Sequence, residues 1–193
     1  MNMLKDKIFY IEDFLFLDTC EFLVSNFSSN ILESENPGVF GGPGRGKDDS
    51  AHKVCGLEKI EAMSNNSDKN IAIDLFTSVC TNIEKSLSVL FNKNLLLKSY
   101  FYSHMKEGGK NPLHVDNYGE EYENDYSAIL YLSDSYSGGA VYFPDQDLTL
   151  KPKPGTLVAF VGTEELKHEV QEVTGGDRVN IICFLTERKS NEN

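Results

Sequence analysis

Between Leu95 and Leu185 the chain runs through six short segments rich in β-branched and aromatic residues, with no helical pattern between them. They are LLLKSYFY (95–102), DYSAILYL (125–132), GAVYFP (139–144), GTLVAFVG (155–162), LKHEVQEV (166–173) and RVNIICFL (178–185). KEGGKNP, SDSYSGG, KPKPG and TGGD read as the turns between them. With the segment around HVDN this makes seven or eight strands. Parallel strands need crossover helices, and none is available here. The strands are therefore expected to be antiparallel, in a sandwich or a jelly-roll barrel.

The pattern before residue 94 is different. Asp18 is placed to cap a helix over TCEFLVSNF, with Phe22, Leu23 and Phe27 on one stripe. A longer helix is expected from about 70 to 91, where Ile71, Leu75, Val79, Ile83, Leu87 and Leu90 recur at helical spacing. Residues 36–50, NPGVFGGPGRGKDDS, hold five glycines and two prolines and read as a loop that could close over a bound molecule. At 193 residues a single domain is expected. Residues 1–94 would form helical support and the glycine-rich loop, and residues 95–187 the β core, with the helices outside one sheet.

Charge narrows the function classes. Lys+Arg is 18 and Asp+Glu is 30, a net of −12, which disfavours nucleic acid and anionic membrane as partners. No apolar run approaches a membrane span. Glu12, Asp13 and Asp18 interrupt the apolar core a secretory peptide would need. Cys20, Cys55, Cys80 and Cys183 form no CxxC pair and read as free thiols, so a reducing, cytoplasmic location is expected. The sequence leaves the oligomeric state open.

Two motifs bear on chemistry. Gly41 to Lys47 has phosphate-loop spacing, but Asp48 stands where a Ser or Thr should meet magnesium and no strand precedes it, which excludes a nucleotide loop. The second is a histidine–carboxylate cluster. His114-Val115-Asp116 is an HxD triplet, and alternation in a strand sends His114 and Asp116 to the same side. His168, in a later strand, can supply a third ligand. Two imidazoles and one carboxylate leave open positions on an octahedral ion, the arrangement of non-haem Fe(II) oxygenases. Arg178 opens the last strand and can form a bidentate pair with a carboxylate whose identity spacing does not give. His52 and His104 read as surface or loop residues.

The order HxD, His, Arg resembles the Fe(II)- and 2-oxoglutarate-dependent dioxygenase superfamily. PLHVDN, YSAILYLSD, SGGAVYFP, KPKPGTLVAF and VQEVTGGDRVNIICFLT, in that order, resemble its prolyl 4-hydroxylase family across residues 95–187. The resemblance implies an α+β chain with a double-stranded β-helix (jelly-roll) core and N-terminal supporting helices. It implies iron on His114, Asp116 and His168, with Arg178 holding the distal carboxylate of 2-oxoglutarate and Tyr131 helping. It points to Tyr102, with Tyr100 as a rival, for the family's co-substrate tyrosine. The implied cofactors are Fe(II), 2-oxoglutarate and O2, with ascorbate as reductant. The implied activity is hydroxylation of proline in a peptide or protein, coupled to decarboxylation of 2-oxoglutarate to succinate. Collagen-type relatives generally have lysine where Arg178 stands, which keeps a lysyl or free-amino-acid hydroxylase open as an alternative. A non-catalytic jelly-roll binding module is the other alternative. The terminal RxNxTxR motif of alkylated-nucleic-acid repair relatives is broken at Ile182 and Phe184.

Overall fold

The computed structural model describes residues 2–5, 7–33, 51–56, 67–117 and 124–188. The glycine-rich loop expected at 36–50 lies outside the described residues. All the strand pairings are antiparallel. β1 (Asn2–Lys5), β2 (Ile8–Ile11) and β3 (His52–Gly56) come from the amino-terminal half, which is therefore not helical alone. They join β4 (Leu95–Met105), β6 (Tyr126–Tyr131), β10 (Leu157–Val161) and β13 (Arg178–Glu187) in one sheet. Its order is β1-β2-β10-β6-β13-β4-β3. A four-stranded sheet faces it, ordered β5 (Asn111–His114), β11 (His168–Val170), β8 (Val141–Phe143) and β9 (Leu148–Leu150).

Two of the expected turns are strands. Residues inside SDSYSGG and TGGD form β7 (Tyr136–Gly138) and β12 (Val173–Gly176), which pair as a separate two-stranded sheet. Glycine content misleads here because Gly138 and Gly176 take positive φ within the pairing, a conformation that costs glycine little.

Strand alternation divides the core into two layers. Along β6, Tyr126, Ala128 and Leu130 point to the helices, while Ile129 and Tyr131 point to the second sheet. Val179, Ile181, Cys183 and Leu185 of β13 share the helical side. That layer is closed by α1 (Leu17–Glu33) through Cys20, Leu23 and Phe27, and by α2 (Ser67–Phe91). The buried stripe of α2 is Ala72, Phe76, Val79, Cys80, Ile83 and Leu87; Ile71 is 57% exposed, so the stripe is rotated from the one its Ile and Leu spacing suggests. Phe76, Val79, Ile83 and Leu87, all buried, each contribute about 1.5–3 kcal/mol relative to exposure. α1 begins at Leu17, so Asp18 lies in its first turn instead of capping it, where its charge still complements the helix dipole. All four cysteines are free and sit in this layer.

The second layer, between the two sheets, holds Ile8, Met105, Ile129, Tyr131, Val141, Phe143 and Phe160. This is a jelly-roll core with helices on one outer face. No helix among the described residues is long and apolar enough to cross a membrane.

Candidate metal centre

The polar residues of the inter-sheet layer gather at one end. β11 pairs with the edge strand β5 so that His168 lies directly opposite His114. Their ring centroids are 4.4 Å apart. Asp116 follows β5 two residues on and turns its carboxylate between them: Oδ1 is 3.3 Å from His114 Nε2 and Oδ2 is 3.8 Å from His168 Nε2. One ligand atom from each of the three lies within 4.8 Å of the others.

Both imidazoles are oriented by backbone. His114 Nδ1 donates to the carbonyl of Pro112 at 2.7 Å, and His168 Nδ1 donates to that of Leu166 at 3.1 Å. This orients both rings so that each Nε2 points into the space shared with Asp116, as a histidine ligand requires. Phe143 and Phe160 pack against the His168 ring at 5.3 and 4.8 Å. Asp116 is buried, which works against its charged form. His168, His114 and the Ser127 hydroxyl outweigh that and bring its carboxyl down to about 2. Ser127 Oγ donates to Oδ2 at 2.6 Å, and Asn124 Nδ2 donates to the Asp116 carbonyl. Two imidazoles and an ionised carboxylate converging from two strands fit a ferrous ion with open positions.

These three residues line a cleft together with Arg178. Arg178 is 2% exposed, and no ion-pair partner for it exists among the described residues. Its Nη2 donates to Tyr131 Oη at 3.4 Å, and with the Asn180 amide turned to accept, Nη1 donates to its oxygen at 2.6 Å. Burial pushes the Tyr131 hydroxyl up, with Arg178 opposing. A buried guanidinium without a counter-ion is costly, so its setting fits an anionic ligand such as the far carboxylate of a keto-diacid.

Tyr102 is elsewhere. It faces the helical layer, where its hydroxyl meets Ser28 Oγ at 2.8 Å and its ring meets Phe27. The expectation that it binds co-substrate is corrected by strand parity, and its rival Tyr100 packs into the same layer. Ser103 and Met105 are the β4 residues that face the cleft. His52 and His104 are also corrected, since both are buried in strands. His52 lines the cleft with Nε2 2.9 Å from Ser103 Oγ, and His104 Nε2 lies 3.2 Å from Asp177. Sequence reasoning also missed Ser127 and Asn111, whose amide meets His114 Nε2 at 3.1 Å. Alternation along YSAILY, counted from Tyr131, was the available signal for Ser127.

Residues 100–186 match the family model of the 2OG-Fe(II) oxygenase superfamily. Curated relatives include chicken (Gallus gallus) prolyl 3-hydroxylase 1, 40% identical over 67 residues, which cover 32% of this chain and 9% of that protein. Rat (Rattus norvegicus) prolyl 3-hydroxylase 2 is 36% identical over 67 residues, 32% of this chain and 10% of the relative. The chain thus spans about a tenth of the length of these relatives. Among solved structures, the viral collagen prolyl hydroxylase of Paramecium Bursaria Chlorella virus-1 superposes with a TM-score of 0.64 at 15% identity, covering 95% of this chain and 97% of that one. The Pseudomonas putida prolyl-4-hydroxylase gives 0.63 at 18% identity, covering 95% and 94%. A Trichoplax adhaerens prolyl hydroxylase gives 0.67 at 15%, covering 94% and 84%. The chain is prolyl hydroxylase-like in fold and carries the superfamily's sequence pattern through its β core.

Proposed function

We propose, from the match of residues 100–186 to the 2OG-Fe(II) oxygenase superfamily, that the chain is an Fe(II)- and 2-oxoglutarate-dependent hydroxylase of proline in a peptide or protein. The observation that carries this reading is the convergence of His114, Asp116 and His168 within 4.8 Å beside a buried Arg178 that has no carboxylate partner among the described residues. His114, Asp116 and His168 would hold the iron, and Arg178 with Tyr131 would bind the distal carboxylate of 2-oxoglutarate. Bound together, iron and keto-diacid supply the oxidising power of dioxygen for C–H hydroxylation, with succinate and carbon dioxide as the coupled products.

The protein's own contributions are positional. The Pro112 and Leu166 carbonyls accept from the Nδ1 atoms and so orient both Nε2 atoms toward the ligand site. Ser127 holds one oxygen of Asp116. Phe143, Phe160, Ile129 and Val170 keep the surroundings of the ligands apolar, which limits water and strengthens the electrostatics inside. Ascorbate as reductant, a reducing cytoplasmic setting compatible with four free thiols, and the absence of a nucleic-acid or membrane partner belong to the same reading. One solved neighbour, the Pseudomonas putida prolyl-4-hydroxylase, supports hydroxylation at C4 of the ring, whereas the curated relatives are named for C3.

The test is direct. The protein is incubated with Fe(II), ascorbate, 2-oxoglutarate and a library of proline-containing peptides. Succinate release and a mass gain of one oxygen are then followed, and the hydrolysate is resolved into 3- and 4-hydroxyproline. Substrate-coupled succinate with 4-hydroxyproline is expected. Oxygen gain on lysine peptides or free amino acids alone overturns the prolyl assignment, 3-hydroxyproline alone overturns the ring position, and no coupled succinate with any candidate favours a binding module.

A further inference from the structure

Tyr136 belongs to no motif of the sequence, yet it is placed against Arg178. β7 begins at Tyr136 and pairs it with Gly176 of β12, two residues before Arg178 starts β13. Both side chains flank Gly139: a Cβ there would lie 3.1 Å from Tyr136 Cε2 and 3.1 Å from Arg178 Cδ. Lys151 fixes the tyrosine from the other side. Its Nζ donates to the Tyr136 carbonyl at 2.7 Å and stands 4.5 Å from the ring centroid.

Tyr136 is 6% exposed, and its hydroxyl has no hydrogen-bond partner among the described residues. Arg178 Nε is likewise unpartnered. Buried polar atoms are rarely left in this state, and a phenylalanine would fill the same space without the cost. Two neighbouring unpaired donors, a phenol and a guanidinium N–H, are complementary to the acceptor-only oxygens of one carboxylate. Burial raises the Tyr136 hydroxyl to about 12, with Arg178 opposing, so it remains a proton donor at neutral pH.

We propose that Tyr136 is a specificity-determining residue for the co-substrate, donating its hydroxyl proton to the distal carboxylate of 2-oxoglutarate beside Arg178 and Tyr131. The proposal rests on the co-substrate site proposed above. It makes the pocket select a keto acid that ends in a carboxylate, through a tyrosine supplied by the small β7–β12 sheet.

The test uses equilibrium binding by calorimetry to Mn(II)-loaded protein, with 2-oxoglutarate and with 2-oxopentanoate, which carries a methyl group in place of the distal carboxylate. Tyr136→Phe is expected to raise the Kd for 2-oxoglutarate on the order of tenfold and to leave 2-oxopentanoate unchanged or tighter. The metal-free variant should melt at the same temperature or higher, because the lost hydroxyl had no hydrogen-bond partner among the described residues. A 2-oxoglutarate Kd within about twofold of wild type, equal weakening of both keto acids, or a lower melting temperature each overturns the role of Tyr136. Arg178→Ala is run in parallel. If it leaves 2-oxoglutarate binding unchanged, the co-substrate site itself is misplaced, whatever Tyr136 does.

Discussion

Ser127→Ala probes how the carboxylate of the metal centre is held. Ser127 Oγ donates to Asp116 Oδ2 at 2.6 Å, with both groups buried. Oδ1 is the oxygen nearer His114, so the serine restrains the other one. A hydrogen bond to a charged group contributes about 1.5–3 kcal/mol, and loss of such outer partners typically costs about 10–100-fold in metal affinity. The variant should therefore bind Mn(II) about 10–100-fold more weakly by calorimetry, with the protein still folded. Removing the donor takes away only the smallest of the effects that lower the Asp116 carboxyl, so it stays ionised at neutral pH. The affinity ratio of variant to wild type should thus be flat between about pH 6.5 and 8, since orientation and not protonation is what changes. Unchanged affinity, or a ratio that climbs steeply as pH falls within that window, would refute the reasoning.

Two further outcomes follow from other parts of the fold. Gly139→Ala must take φ +63° and bring a Cβ within 3.0–3.1 Å of Val173, Arg178 and Tyr136. It should destabilise by roughly 1–3 kcal/mol in a denaturant melt and weaken 2-oxoglutarate binding at once; a melt unchanged from wild type would count against that packing. Burial lowers the His104 pKa below 6.5, with Asp177 opposing. The unfolded chain then holds more protons just below 6.5, so the stability from neutral His104 is full above 6.5 and is lost as pH falls through the lowered folded value. His104→Gln should flatten that part of the curve of metal-free melting temperature against pH, and a curve as steep as wild type would count against a buried neutral histidine.

The long strands and the HxD and His positions were legible because each rests on a local pattern: β-branched runs, and a ligand pair two residues apart. What was not legible depends on which side of a sheet a residue faces. Tyr100 and Tyr102 share a parity, and only the packing of α1 and α2 over that face turns both away from the metal ligands. Ser103 and Met105, of opposite parity, take the cleft instead. His52 was hidden because HKVCG is too short to announce a strand, and it gains its place by pairing with Met105 of β4. Tyr136 was hidden within glycine-rich segments that read as turns and instead pair with each other.

The pairing of His114 with His168 joins two imidazoles on adjacent strands of one ladder. Side chains alternate with period two, so sliding β5 past β11 by a single residue would send one ring outward and dismantle the ligand set. The geometry that receives the ion thus depends on the pairing of these two residues, which holds although the ladder shifts register between His168 and Val170.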